Sequence, residues 1–159
     1  DFLENQGFKK IILSIGHHGD QIQKYLNKNY KKKIRISYLK DKPFQLGTGG
    51  AVINALNQLG KYFFIIYGDS YLRANLKKME STYIKKKPKI LMGVYKNNNK
   101  FDKSNIIINK KKELYYDKKN FKKNMKYIDY GVSIVNSSVF KQFKKKNITI
   151  FLIFFTIFH

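Results

Sequence analysis

The chain of 159 residues contains no cysteine, which excludes a disulfide framework and a thiolate metal centre and fits a reducing cytoplasm. Arginine is nearly missing, present only as Arg35 and Arg73. The planar fork that grips phosphates and guanine edges is therefore scarce. Proline occurs twice, and alanine is sparse. The longest apolar run, residues 148–158, is interrupted only by Thr149 and Thr156. It falls short of the ~20 residues a transmembrane helix needs, and it stands at the wrong end for a secretory signal.

Lysine is what the chain has in excess. With 33 Lys and Arg against 10 Asp and Glu, the formal charge is +23. Such a balance ordinarily points to nucleic acid or an anionic membrane. Here the charge is almost all lysine and comes with abundant Asn, Ile, Tyr and Phe, the bias of an AT-rich coding sequence. We therefore read it as solvated surface, with no specific nucleic-acid partner and no stable membrane insertion.

A chain of this length supports one domain with a real core. Residues 2–7 read as helix and 9–16 as a short apolar strand covered on both faces. Asp20 stands where an N-cap belongs, ahead of Ile22, Tyr25 and Leu26 on one helical face. Residues 34–38 alternate as a strand, and Asp41-Lys42-Pro43 forces a loop. From Thr48 the spacing predicts a helix closed by Gly60. Residues 63–67 read as a buried strand and 75–87 as a basic helix ended by Pro88. Strands are expected over 90–95, 105–109, 113–116 and 130–135, then a helix over 137–145. The alternation argues for an α/β fold with a mostly parallel central sheet, whose ligands gather at the carboxyl ends of the strands. Residues 1–146 are expected to form this domain, and 147–159 an apolar tail. A buried strand and a membrane-touching segment are alternatives for that tail, and a shifted reading frame is the preferred one.

Two features fall at strand ends. Gly47, Gly49 and Gly50 flank Thr48 in a turn that can take positive φ and offer backbone N–H groups to an oxygen-rich ligand. A helix starting there adds its positive end; a tight turn that binds nothing is the plain alternative. Asp69 follows Gly68 after five apolar residues, a rigidly held carboxylate suited to Mg²⁺, with an N-cap or turn role as the lesser alternative. Ser70 supports the turn. His17 and His18 have no third ligand nearby and read as a solvated loop. Asp117, Lys118, Asp129 and Gly131 lie at later strand ends. A carboxylate there can accept sugar hydroxyls and a lysine can neutralise a phosphate, but taken alone they read as exposed charges.

The order of five stretches says more. Gly16-His17-His18-Gly19-Asp20-Gln21-Ile22, Leu46-Gly47-Thr48-Gly49-Gly50-Ala51, Tyr67-Gly68-Asp69-Ser70-Tyr71-Leu72, Tyr116-Asp117-Lys118-Lys119 and Tyr127-Ile128-Asp129-Tyr130-Gly131-Val132 resemble the sugar-phosphate nucleotidyltransferase family. The likeness is greatest to its mannose- and heptose-1-phosphate guanylyltransferase branch and spans about residues 1–145.

The resemblance implies a Rossmann-like three-layer domain that joins a nucleoside triphosphate to a sugar 1-phosphate in the cytoplasm, with Mg²⁺ as cofactor, to make activated sugars for surface polysaccharide. It implies that residues 47–50 line the nucleotide pocket and that Asp69 holds Mg²⁺ and serves catalysis. Asp117 would face sugar hydroxyls and Lys118 the sugar phosphate as a second catalytic group, while Asp129 and Gly131 close the sugar side. Two family features are expected outside this chain, the N-terminal G-x-G-T-R loop with its strand and a second metal-binding Asp. The chain as it stands is accordingly expected to be an inactive fragment. The alternative readings are a noncatalytic binding or regulatory module of the same fold, and a basic polyanion or membrane-surface binder.

Overall fold

A computed structural model describes residues 2–16, 18–30, 33–40, 47–141 and 155–156. His17, the Asp41-Lys42-Pro43 loop, Leu46 and nearly all of the apolar tail lie outside the described residues. Contacts cluster the chain into two units, Asp1–Leu59 and Gly60–His159.

The first unit runs α1 (Phe2–Asn5), β1 (Lys10–Ile15), α2 (Gly19–Asn29), β2 (Arg35–Lys40) and α3 (Gly47–Ala55). β1 and β2 pair in parallel from Lys10↔Arg35 to Ile15↔Lys40, so α2 is the crossover of a βαβ unit. The helix begins two residues earlier than an N-cap at Asp20 predicts. His18 occupies the N-cap in the left-handed region at φ 59°, and Asp20 sits in the first turn, where its charge suits the helix dipole. Leu26 is half-buried, but Ile22 and Tyr25 stand exposed. After α3 a short 3-10 turn, Leu56–Gln58, is capped by extended Leu59 rather than by Gly60.

The second unit holds β3 (Tyr62–Ile66), α4 (Leu76–Lys86), β4 (Ile90–Lys96), β5 (Ile106–Ile108), β6 (Glu113–Tyr116), β7 (Tyr127–Asn136), α5 (Ser138–Lys141) and the two-residue β8 (Phe155–Thr156). α4 is delimited by its caps. The Asn75 Oδ1 accepts from the Lys78 N–H, and Lys87 turns left-handed at φ 47° immediately before Pro88.

The α/β class holds, and the expected mostly parallel sheet is borne out only in part. β7 runs antiparallel to both β3 and β4, and β5 runs antiparallel to β6; among the described residues parallel pairing is confined to β1–β2 and a single β4–β8 contact. β3 and β4 do point the same way, as a helix crossover demands. The ten-residue β7 returns from the end of the chain and inserts between them. Burial on two faces makes a strand uniformly apolar, which reveals that it is central and leaves its neighbours unspecified.

The core of this unit lies under α4 and β7. Tyr83, Leu91 and Ile134 are buried together, with Tyr62, Phe64 and Met79 packed around them. The Tyr62 hydroxyl donates to Glu80 Oε1 at 2.9 Å. Leu76, Ile106, Leu114, Met125 and Ile134 are fully enclosed, and each such side chain contributes ~1.5–3 kcal/mol relative to exposure. The turn after β4 is held by buried Asn97. Its Nδ2 donates to Asp102 O and Ser104 Oγ, and its Oδ1 accepts from the Phe101 N–H. Among the described residues no helix is long and apolar enough to cross a membrane.

Candidate active site

In the first unit, Gly47, Thr48, Gly49 and Gly50 form the opening turn of α3. Gly47 takes the left-handed conformation at φ +61°, whereas Gly49 and Gly50 are helical. Gly49 is buried, and Gly47 and Thr48 are exposed. The first turn of a helix leaves amide N–H groups without intrahelical partners, which gives this segment its capacity for anions. At the carboxyl ends of β1 and β2, a cavity of about 360 Å³ is lined by Gly16, His18, Asp20, Gln21 and Lys40. The Lys40 Nζ lies 2.6 Å from Asp20 Oδ1 on the open surface.

The second unit brings the other residues together around β7. A β-strand opposite β3 is already fixed by the register that ends at Ile66↔Val132, and the Tyr67 N–H extends it by donating to Gly131 O at 3.0 Å. The chain then turns through Gly68 and Asp69, closed by the Ser70 N–H donating to Tyr67 O at 3.3 Å. Ser70 lies against Gly131, and its hydroxyl donates to Asp69 Oδ1 at 3.3 Å. Asp69 is exposed. The turn that carries it is therefore seated on the strand that carries Asp129.

Asp129 is half-buried, and burial pushes its carboxyl above the usual carboxylate range. That tendency is opposed by the Gly131 N–H, which donates to Asp129 Oδ1 at 2.8 Å, by the charge of Lys118, and by a hydrogen bond from Tyr67. Lys118 is held protonated above the ordinary lysine range by its hydrogen bond with the Tyr116 hydroxyl, which outweighs the opposing effect of burial; the charges of Tyr116 and Asp129 add smaller support. Burial likewise raises Tyr116. Tyr67, Asp129, Lys118 and Tyr116 thus form one connected polar group.

Asp117 has a different setting. Its Oδ1 accepts from the Lys119 and Asn120 N–H groups at 2.8 and 3.0 Å, and its Oδ2 accepts from Tyr115 Oη and Asn120 Nδ2 at 3.1 and 3.2 Å. Backbone donors in particular hold its carboxyl at about 2. All four acceptor positions of a carboxylate are in use, so Asp117 braces the loop from which Lys118 projects.

The sequence singled out Asp69, Lys118, Asp129 and Gly131, which this cluster contains. It assigned no role to Tyr67 and Tyr116. Their one visible signal is position, each opening one of the five matched stretches at the end of its strand. Among the described residues no three of His, Cys, Asp and Glu gather as a metal cluster. Asp69 alone is a fitting Mg²⁺ ligand, since this ion commonly takes one or two carboxylates and otherwise water and phosphate oxygens.

The described residues thus place a glycine-started helix in the first unit and a carboxylate turn seated on β7 in the second. Residues 2–147 match the nucleotidyl transferase family, and the chain belongs to it. Two relatives are D-glycero-alpha-D-manno-heptose 1-phosphate guanylyltransferases. That of Campylobacter jejuni is 26% identical over 145 residues, covering 90% of this chain and 62% of the relative. That of Aneurinibacillus thermoaerophilus is 28% identical over 142 residues, covering 88% and 60%. The chain thus spans about three-fifths of the length of these relatives. The crystal structure of HddC from Yersinia pseudotuberculosis superposes with a TM-score of 0.80 at 20% identity, over 99% of this chain and 72% of that one. UDP-glucose pyrophosphorylase shares the fold at a TM-score of 0.65 and 16% identity, over 91% and 67%.

Proposed function

We propose that the protein transfers a nucleotidyl group from a nucleoside triphosphate to a sugar 1-phosphate in the cytoplasm, releasing pyrophosphate. The observation that carries this reading is the connected polar group of Tyr67, Asp129, Lys118 and Tyr116 on β7's flank, with the Asp69 turn seated on the same strand through Gly131. A cation for a phosphate, a carboxylate for sugar hydroxyls and a second carboxylate for a metal are what such a reaction asks of a protein.

In the proposed reaction an oxygen of the sugar phosphate attacks the α-phosphorus, a new P–O–P link forms, and the α–β anhydride bond breaks with its electrons leaving on pyrophosphate. No covalent nucleophile is needed; positioning and charge neutralisation carry the rate. Lys118 neutralises the sugar phosphate, Asp129 accepts from sugar hydroxyls, and Gly131 lets the Ser70 turn seat against the strand that carries Asp129. Asp117 keeps the Lys118 loop in place. In the first unit, residues 47–50 are assigned to the nucleotide. Mg²⁺ on Asp69 would supply neutralisation of triphosphate charge.

The relatives direct the choice of substrates to GTP and a manno-configured heptose 1-phosphate. Protein of the relatives' full length, with Mg²⁺ and this pair, is expected to release pyrophosphate faster than with the other triphosphates or with mannose 1-phosphate, and the chain as it stands to release little. Nucleotide binding without pyrophosphate release for any pair would overturn the reading in favour of a noncatalytic module of the same fold.

A further inference from the structure

At the amino ends of β1 and β2, the opposite end of the first unit from residues 16–20, a second cavity of about 660 Å³ is lined by Glu4, Gly7, Phe8, Lys9, Lys10, Lys33 and Arg35. Its lining carries four cationic residues, one carboxylate and one aromatic ring. We propose that this cavity is a binding site for a small polyphosphorylated anion, separate from the site assigned to nucleotidyl transfer.

The register supplies the first argument. Lys10 and Arg35 are direct partners across the parallel pair, and like charges in that relation oppose the pairing that holds them. Lys9 and Lys33 add charge at the same strand ends. The second argument is fixation. The Lys10 Nζ donates to Gln58 O at 3.2 Å, which holds the ammonium in place with donors to spare. The Arg35 N–H donates to Lys9 O at 3.0 Å, which pins the backbone from which the guanidinium extends. Arg35 is one of two arginines among a surface of lysines, and a guanidinium is the group that binds phosphate oxygens in pairs. Size is the third. Ligand pockets commonly span roughly 300–1,000 Å³ and combine apolar walls with a few placed polar groups. This concavity with Phe8 in its wall fits a compact molecule better than a flat polyanion surface does.

Isothermal titration of the protein with inorganic pyrophosphate in the absence of Mg²⁺, at two salt concentrations, tests the proposal. The wild type is expected to bind, more weakly at high salt, and the double variant K10Q/R35Q to lose about tenfold or more in affinity, the scale of one charge-assisted contact. K118Q, altered in the other site, is expected to retain this binding. Without ligand, K10Q/R35Q is expected to melt higher than wild type because the repelling pair is gone; both residues are exposed, so the variant folds. Parallel titrations with mannose 1-phosphate and with ATP separate a bare phosphate from a nucleotide as the natural source. Unchanged pyrophosphate affinity in K10Q/R35Q, its loss in K118Q alone, or binding only of duplex DNA or anionic vesicles would each overturn the proposal.

Discussion

Gly131 and Ser70 are fitted to each other so closely that a Cβ on the glycine would lie 2.5 Å from the Ser70 Oγ, and the glycine itself holds φ +82°. Both terms penalise any side chain, one through backbone strain and one through overlap. Gly131→Ala is expected to cost roughly 2–4 kcal/mol, the sum of a left-handed alanine and an overpacked contact. Gly68, one turn away, has open space around its Cβ position and no left-handed φ. Urea unfolding should show Gly68→Ala near wild type and Gly131→Ala far below it; equal midpoints would contradict the fit.

Asp129 is expected to be a residue whose removal stabilises the protein. Its folded pKa lies above the 3.8 of an ordinary aspartate because of burial, so the native state binds the proton more tightly than the unfolded state. The contribution is greatest at low pH and declines as pH rises from 3.8 through the raised value. At neutral pH the ionised carboxylate is a net cost, partly offset by Lys118, Tyr67 and the Gly131 N–H. Asp129→Asn should therefore melt at or above the wild-type temperature while pyrophosphate release falls. A clear drop in melting temperature would mean that the Lys118 pairing outweighs desolvation.

Much of the fold was legible in the residues. α4 appears between its predicted bounds because Asn75 and Pro88 mark both ends chemically. β6 matches because the Glu113 to Tyr116 segment is punctuated by lysine turns. What the pattern did not carry was the partnership of β7, since an apolar strand records only that both faces are covered. The exposure of Ile22 and Tyr25 was unreadable for a related reason: helical spacing identifies a face without saying what lies against it. In the site, charged residues after apolar runs were readable as strand-end groups. Tyr67 and Tyr116 were not, because a tyrosine ring serves packing and hydrogen bonding with the same letter.

Asp117 titrates in the opposite sense to Asp129. Held at about 2 by the Asn120 and Lys119 backbone donors, it favours the native state above 3.8, and that contribution is lost as pH falls from 3.8 towards 2. Followed by NMR, the Lys119 and Asn120 amides should shift with an inflection near the lower value while Asp129 titrates above 3.8. An inflection of those amides at the ordinary aspartate value would show that the bracing hydrogen bonds do not persist in solution.

Lys118 and Asp69 separate kinetically if each acts on its assigned phosphate. Replacing Lys118 with Gln keeps a hydrogen-bond donor but removes the charge, and a hydrogen bond to a charged group is worth about 1.5–3 kcal/mol. That corresponds to roughly a 10- to 100-fold loss in kcat/KM, concentrated in the KM for the sugar phosphate, with the KM for the triphosphate little changed. Asp69→Asn leaves an exposed side chain of the same shape, so stability should stay within about 0.5 kcal/mol of wild type. Its activity should fall and need more Mg²⁺ to recover. Steady-state kinetics with each substrate varied in turn, at several Mg²⁺ concentrations, reads both effects at once. If Lys118→Gln raised the triphosphate KM and Asp69→Asn raised only that of the sugar phosphate, the two assignments would have to be exchanged.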